Sequence, residues 1–169
     1  MGYDLYSEKE STDSDVSYFR WNYWCWPSVL TLASVYGWEA KGTTFHPLTE
    51  ADIEEHGYSQ ERQDAYRNMI SEWEGAYDSN DGQVVLTEDA LEMAKALEKA
   101  LVDIPDGDIP TPGETSEGTI PIDSQDYEKH RSLCRSGNKK ALAISFSGDN
   151  KIYLKQFIKF LRRGSFSIS

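Results

Sequence analysis

The chain has 169 residues, enough for one domain with a hydrophobic core and few for two. Hydrophobic residues make up only 38%, but 5 Trp, 10 Tyr and 6 Phe argue against a disordered chain. No apolar run approaches the ~18 residues of a membrane span, and no secretory signal follows Met1. We therefore expect a cytoplasmic protein without a membrane span, whose two cysteines stay reduced.

Acidic and basic residues are separated along the chain. Residues 1–128 contain 28 acids and 7 bases, a net charge of −21, whereas residues 129–169 contain 10 bases and one acid, a net charge of +9. The acidic majority repels polyanions, so nucleic acid is a disfavoured ligand. A second protein with a basic surface is the partner that this charge favours, because complementary charge steers association.

The two ends of the chain predict strands. Residues 2–6 and residues 164–168 alternate between apolar and polar side chains, as half-buried strands do. We expect these two segments to pair with each other. Residues 7–17 are polar and predict a loop.

An aromatic segment and several helices follow. Residues 18–26 contain six aromatic side chains, and we expect most of them in the core. The next apolar stretch predicts a helix that starts with Pro27 and ends at Gly37. Thr49 and Ser59 are candidate N-caps of further helices.

The middle of the chain contains a helix signal, a turn and the clearest helix. Apolar residues recur at three- and four-residue spacing over residues 59–73, and residues 78–82 have the composition of a turn. Thr87 is predicted to cap a helix with one apolar stripe. Residues 103–123 contain four Pro, three Gly and six acids but no base, which indicates a long acidic loop or linker.

The last quarter predicts two helices and one ambiguous segment. Residues 124–134 form a short helix, residues 141–146 fit either a strand or a buried turn, and Asn150 caps a last helix. Together these elements predict a mainly α fold of four to six helices, with a small β element formed by the chain termini. We expect residues 1–169 to form a single compact domain.

Several short motifs resemble those of a family of small bacterial proteins with no assigned function. The motifs are Tyr18-Phe19-Arg20-Trp21-Asn22 with Trp24, Ser79-Asn80-Asp81-Gly82-Gln83 before an Ala/Leu helix, Phe157-Ile158-Lys159-Phe160, and Gly164-Ser165-Phe166. Members of this family also open with a Gly-Tyr-Asp strand. The resemblance implies a bacterial, cytosolic, single-domain protein, and it implies no activity.

The last helix is the first candidate binding site. Its basic residues fall on one face, opposite an apolar face of Leu154, Phe157, Ile158 and Leu161; they are Lys151, Lys155, Lys159 and Arg162. A basic amphipathic helix can lie on an anionic membrane, enter a partner's groove or follow a phosphate backbone. The structural alternative is that the apolar face packs on the core while the cations are solvated or pair with the acidic residues.

The aromatic segment is the second candidate. Trp21 and Trp24 could stack on a ligand, while Arg20 and Asn22 between them could supply hydrogen bonds. Six rings in nine residues cannot all face one way, so some should be exposed. The competing interpretation is that these rings fill the core.

Catalytic and metal-binding signals are weak. Cys25 lies at a predicted helix start, where the helix dipole lowers the pKa of a thiol, and Cys25-Trp26 resembles papain-like proteases in two residues only. The turn at Asp81-Gly82 imitates a calcium loop, but Tyr77 stands where the first carboxylate ligand is required. Three His and two Cys show no ligand spacing, so we expect no metal and no cofactor.

These observations favour a non-enzymatic protein-interaction module, similar in its acidity to immunity and antitoxin proteins. Such a module would bind its partner through the carboxylate-rich surface and an aromatic groove near residues 18–26. The first alternative is a small hydrolase or transferase that uses Cys25 or a carboxylate. The second alternative is a nucleic acid or membrane-surface binder that uses the basic helix at residues 150–163.

Overall fold

A computed structural model describes residues 2–9, 17–42, 49–72, 76–80 and 82–169. This part of the chain contains four strands: β1 (Gly2–Ser7), β2 (Tyr18–Asn22), β3 (Gln83–Val85) and β4 (Phe166–Ile168). It also contains seven helices: α1 (Cys25–Val35), α2 (Glu50–His56), α3 (Gln60–Glu72), α4 (Thr87–Asp103), α5 (Gln125–Arg135), α6 (Lys139–Ser145) and α7 (Asp149–Leu161). The predicted mainly α fold with a small β element is confirmed, but the described residues contain seven helices rather than the expected four to six, and the sheet includes two strands from inside the chain besides the terminal pair.

The four strands form one antiparallel sheet in the order β2-β1-β4-β3. Leu5 of β1 is opposite Ile168 of β4, and both side chains are fully buried, so the predicted pairing of the chain termini is confirmed. The aromatic segment supplies the edge strand β2, where Trp21 is opposite Tyr3. Because side chains alternate between the two faces of a strand, the Trp21 side chain is buried, while the other side chains of β2 are half-buried or exposed.

The core lies where α1, α4 and α7 pack together beside the sheet. Trp26 of α1 and Phe157 of α7 are fully buried, with ring centroids 6.0 Å apart in an edge-to-face arrangement. A buried carboxylate, Asp89, accepts hydrogen bonds from the Trp38 indole (2.7 Å) and the Tyr77 hydroxyl (2.7 Å). A carboxylate can be buried here because its oxygens are bonded.

Several predicted helix starts are confirmed by side-chain caps. Thr49 and Asp52 form a capping box at α2, and the Ser124 hydroxyl accepts from the backbone N–H of Tyr127 at α5. The Ser59 hydroxyl accepts from the backbone N–H of Arg62 at the start of α3. The helix predicted for residues 59–73 is therefore present as α3, while Trp73 lies outside the described residues.

Other predicted helix starts are wrong by one or two residues. The N-cap of α4 is Leu86, because the Thr87 hydroxyl accepts from the backbone N–H of Ser165 in the C-terminal segment. The N-cap of α7 is Gly148 rather than Asn150. Pro27 is the third residue of α1, still within the first turn, where its missing N–H leaves no hydrogen bond unmade.

The segment at residues 141–146, predicted as a strand or a buried turn, is helical: residues 141–145 belong to α6, and Phe146 is its C-cap. Its N-cap is Asn138, whose side chain accepts from the backbone N–H of Ala141 at 3.0 Å. Ala141 and Leu142 are buried, which anchors this short helix to the body. A seven-residue helix is too short to show a clear helical period, so the sequence alone did not identify it.

The acidic loop at residues 103–123 holds the start of α7. Gly148 has a φ of +56°, and a Cβ there would overlap Asp108 of the loop. The Asp108 carboxylate accepts from the backbone N–H of Asp149, and the backbone N–H of Ile109 donates to the Ser147 hydroxyl at 3.0 Å. The first part of the loop, at Asp108 and Ile109, therefore contacts the helical body. No helix in the described part of the chain is long and apolar enough to cross a membrane.

Candidate functional site

A cleft of about 510 Å³ opens between the β2–α1 junction and helix α5. We call it the aromatic cleft, because rings from both walls line it. Residues that line it are Tyr3, Trp21, Tyr23, Trp24, Cys25, Pro27, Ser28, Asp78, Thr111, Ile120, Tyr127, His130, Arg131, Cys134, Arg135, Ser145, Phe146 and Asn150. The volume lies in the range of small-molecule sites, roughly 300–1,000 Å³.

One complete face of α5 forms a wall of the cleft. Its residues follow the helical spacing i, i+3, i+4, i+7 and i+8, and they are Tyr127, His130, Arg131, Cys134 and Arg135. The inward face of a helix in a globular protein is normally apolar. This face instead carries an imidazole, a thiol and two guanidinium groups, so α5 contributes little hydrophobic core.

Three reactive groups meet at the base of the cleft. The Nε2 of His130 lies 2.9 Å from the Ser145 hydroxyl and 3.6 Å from the Cys134 thiol, and these two side chains are 3.4 Å apart. His130 and Cys134 are one helical turn apart on α5, and Ser145 ends α6, which packs against α5. We call these residues the thiol–imidazole cluster.

Burial shifts both titrating groups of the cluster toward their neutral forms. It lowers the pKa of His130 and raises the pKa of Cys134, while the Ser145 hydrogen bond opposes the latter shift in part. A thiol and a neutral imidazole are therefore the resting state at neutral pH. Asp78 is the carboxylate that lines the cleft within the described residues, and it does not hydrogen-bond to the cluster.

The mouth of the cleft is built around Arg131. Its guanidinium lies 4.5 Å from the ring centroid of Trp24 and 5.7 Å from that of Tyr127, and it pairs with Glu128 at 2.9 Å. Cation–π contacts of this kind hold the ring of Trp24, which is still 63% exposed. Tyr23 beside it is 48% exposed. The prediction that some rings of the aromatic segment face solvent is confirmed, but the expectation that most of them lie in the core is wrong, because only Trp21 and Trp26 are buried.

The other residues of the aromatic segment have structural contacts. Trp21 is buried and lines the cleft, and its indole N–H has no acceptor within the described part of the chain. The Asn22 side chain accepts from the backbone N–H of Cys25 at 2.7 Å, at the start of α1. Arg20 lies 3.6 Å from Asp4 on the neighbouring strand and does not line the cleft. Trp21 and Trp24 therefore reach this site, whereas Arg20 does not.

Cys25 is at the start of α1, as predicted, but its thiol is not activated there. Burial raises the pKa of Cys25, and the Asn22 hydrogen bond lowers it by less. The expectation of a lowered pKa is wrong, because it considered the helix dipole without the desolvation of the side chain.

The basic helix corresponds to α7, and its cations have different environments. Lys151 is 8% exposed; its ammonium donates to the Ile104 carbonyl at 2.5 Å and pairs with Asp106 at 2.8 Å. Arg162 pairs with Glu98 of α4. Lys155 and Lys159 are exposed and form no ion pair within the described residues.

The prediction that four cations form one solvated stripe on this helix is therefore wrong, because Lys151 is buried and paired. Pairing with the acidic residues, the structural alternative for this helix, holds for Lys151 and Arg162. In the described part of the chain, no three His, Cys, Asp or Glu side chains cluster closely enough to bind a metal ion. Asp81 of the calcium-like turn lies outside the described residues.

The chain matches no protein-family model, no curated protein and no solved structure. Its resemblance to a family of small bacterial proteins thus stays a prediction. The thiol–imidazole cluster was missed by sequence reasoning, which considered Cys25 alone. The signal that could have indicated it is the i, i+4 spacing of His130 and Cys134, on a helix whose Tyr127, Arg131 and Arg135 share the same face.

Proposed function

We propose that this protein is a cytoplasmic, non-enzymatic interaction module, comparable to immunity and antitoxin proteins, which binds a partner with a basic surface. The observation that carries this proposal is helix α2, which has no buried side chain. Three of its carboxylates, Glu50, Glu54 and Glu55, are exposed and have no cationic partner within the described residues. Such a helix gains little stability from packing on the rest of its own chain, so its carboxylates are available to bind a partner protein.

Electrostatics supports the choice of a basic partner. A dense set of unpaired carboxylates raises the association rate with a cationic protein, and salt weakens this effect. The neighbouring helix α3 adds Glu61 to the same acidic stretch, although Arg67 of α3 is already paired with Asp64 at 3.1 Å. Binding through these carboxylates should therefore weaken steeply as ionic strength rises.

The aromatic cleft supplies the second half of the proposed interface. Exposed Trp and Tyr side chains are the commonest anchors of protein interfaces, and Tyr23 and Trp24 stand at the mouth of the cleft. Their T-shaped packing (5.4 Å between ring centroids) and the Arg131 contact keep both rings ordered before binding. An ordered anchor loses less conformational entropy when a partner binds.

The experiment is capture of partners from a bacterial lysate by the immobilised protein, at low and at high ionic strength. The test variant replaces Glu50, Glu54 and Glu55 with Gln, which removes charge and keeps side-chain shape. The matched control replaces Glu114 and Glu117 of the acidic loop with Gln. We expect a protein that the wild type and the control retain at low salt, and that high salt and the test variant release. No captured protein at low salt, or equal capture by both variants, would contradict the proposal.

The basic helix supports a second candidate, binding of an anionic surface or ligand, because Lys155 and Lys159 are exposed and form no ion pair with any described residue. Two cations make a weaker site than the predicted four, since each phosphate contact adds to affinity separately. The enzymatic alternative through Cys25 gains no support, because no His side chain hydrogen-bonds to its thiol within the described residues.

A further inference from the structure

The interaction proposal leaves the base of the aromatic cleft without a role. There, one imidazole contacts two nucleophiles: the Cys134 thiol at 3.6 Å and the Ser145 hydroxyl at 2.9 Å. His130 is 5% exposed and Cys134 is 4% exposed, yet both line a cleft of about 510 Å³. The cluster is thus shielded from bulk water but borders a space that a small molecule can occupy.

We propose that the aromatic cleft accepts an acyl group from a small aryl ester or thioester, with Cys134 as the nucleophile. In this step Cys134 Sγ bonds to the carbonyl carbon, and the bond from that carbon to the leaving oxygen or sulfur breaks. The thiol proton passes to His130 Nε2 and from there to the leaving group. The products are a thioester on Cys134 and a neutral phenol or aryl thiol, which ionises after its release into water, so charge and protons balance.

Neutral His130 has a free Nε2 lone pair within reach of the Cys134 thiol, as a general base requires. Burial opposes the thiolate–imidazolium pair that the transfer forms, and the Ser145 hydrogen bond to Cys134 offsets part of that cost. Cys134 is favoured over Ser145 as the nucleophile because a thiol gives up its proton more readily than an aliphatic hydroxyl. The Ser145 hydroxyl lies 3.4 Å from Cys134 Sγ and donates to the thiolate as it forms.

The walls of the cleft indicate the class of acyl donor. Rings line both sides, with Tyr23 and Trp24 opposite Tyr127, and these surfaces stack with an aromatic leaving group. Trp21 lines the same cleft next to Phe146, and its buried indole N–H lacks an acceptor within the described residues. A carbonyl oxygen that reached this N–H would supply the missing hydrogen bond.

Acylation of Cys134 is independent of partner binding through the α2 carboxylates. The Cys134→Ser variant should keep the capture of the basic partner and lose acylation. The Gln variant of Glu50, Glu54 and Glu55 should keep acylation and lose capture. The two proposals therefore fail separately.

The test measures acetylation by 4-nitrophenyl acetate and by S-(4-nitrophenyl) thioacetate, which distinguish an ester donor from a thioester donor. With either probe we expect one equivalent of nitrophenolate or nitrothiophenolate in a rapid burst, and an acetyl group on the peptide that contains Cys134. The burst should disappear in Cys134→Ser and slow about 100-fold in His130→Gln, since a general base contributes roughly 10²–10⁴ in rate. Ser132→Ala, on the exposed face of α5 and outside the cleft lining, is the control and should keep the burst.

An acetyl group found first on Cys25, Ser145 or a lysine would overturn the proposal, as would an unchanged rate in His130→Gln. Thermal unfolding of each variant shows whether it is folded. If His130→Gln or Cys134→Ser does not fold, the proposal is tested by comparing the acetylation rates of the two cysteines in the wild-type protein, because both line the same cleft. Faster acetylation of Cys134 than of Cys25 supports the proposal, and the reverse order contradicts it.

Discussion

Helix α7 and all but the first turn of helix α5 belong to the basic last quarter of the chain, yet the inward faces of the two helices differ. The inward face of α7 is apolar and consists of Leu154, Phe157, Ile158 and Leu161, all buried. The inward face of α5 consists of polar, charged and reactive groups around a cleft. Charge along the sequence is similar in the two helices, so it does not distinguish them. The two helices differ in whether their inward side chains pack into the hydrophobic core. Those of α7 do, so the main role of α7 is to stabilise the fold, whereas those of α5 line a cleft.

The largest expected effect concerns the core face of α7. Phe157→Ala removes a fully buried ring that contacts Trp21 and Trp26, and should lower the free energy of unfolding by about 3–5 kcal/mol. Urea unfolding followed by Trp fluorescence measures the change. Ile152→Ala on the exposed face of the same helix is the control, with an expected change within about 0.5 kcal/mol. Equal effects of both changes would show that this face of α7 is not core.

The next effect separates the buried lysine of α7 from its exposed neighbour. Lys151→Met leaves the Ile104 carbonyl without its donor and removes the ion pair with Asp106, so we expect a loss of about 1–3 kcal/mol. Lys155→Met removes an exposed charge and should change stability by less than about 0.5 kcal/mol. The same urea titrations compare the two variants. A larger effect of Lys155→Met would contradict the different environments assigned to these lysines.

A smaller effect is expected at the mouth of the cleft on α5. Trp24→Ala and Arg131→Ala each remove one member of a cation–π contact, so their effects on unfolding should couple by about 0.5–1 kcal/mol. A double-mutant cycle measures this coupling. The pair Tyr23→Ala with Arg131→Ala is the control, and it should be closer to additive. Simple additivity for Trp24 and Arg131 would mean that the contact does not order the ring.

The pH dependence of stability should reveal the buried imidazole of α5. Because burial lowers the pKa of His130 from its ordinary 6.5, the unfolded chain takes up a proton more readily than the folded one as pH falls. The stabilising contribution of neutral His130 is full above that value and is lost as pH drops below it. The stability of wild type relative to His130→Gln should therefore decline from about pH 7.5 to about pH 5.5. A constant difference over this range would contradict a buried neutral His130.

The smallest effect on stability is expected on the outer face of α7. Lys155→Glu combined with Lys159→Glu changes two exposed side chains and should leave the unfolding curve nearly unchanged. Retention on anionic lipid vesicles and on a phosphate-backbone column is the functional measurement. If the wild type is retained and this variant is not, the anionic-ligand function is favoured. No retention of either protein would end that alternative.

Local signals account for the part of the fold that the sequence predicted. Alternation indicated the paired termini, and the hydroxyls of Thr49 and Ser124 marked helix starts, because capping and periodicity depend on neighbouring residues. The cleft depends on contacts between distant segments: Ser145 meets His130 only after α5 and α6 pack together. The pKa of Cys25 was predicted in the wrong direction for the same reason, because desolvation is a tertiary effect.

The contrast between the two inward faces can be tested most directly through the thiol on α5. Cys134 should react with 4,4′-dithiodipyridine in the native protein, at a rate that does not change with low concentrations of urea, because the reagent enters the cleft without unfolding. Cys25→Ser removes the only other thiol of the chain and isolates this signal. A rate that rises with urea in parallel with global unfolding would show that Cys134 is sealed in the core and that α5, like α7, faces a closed interior.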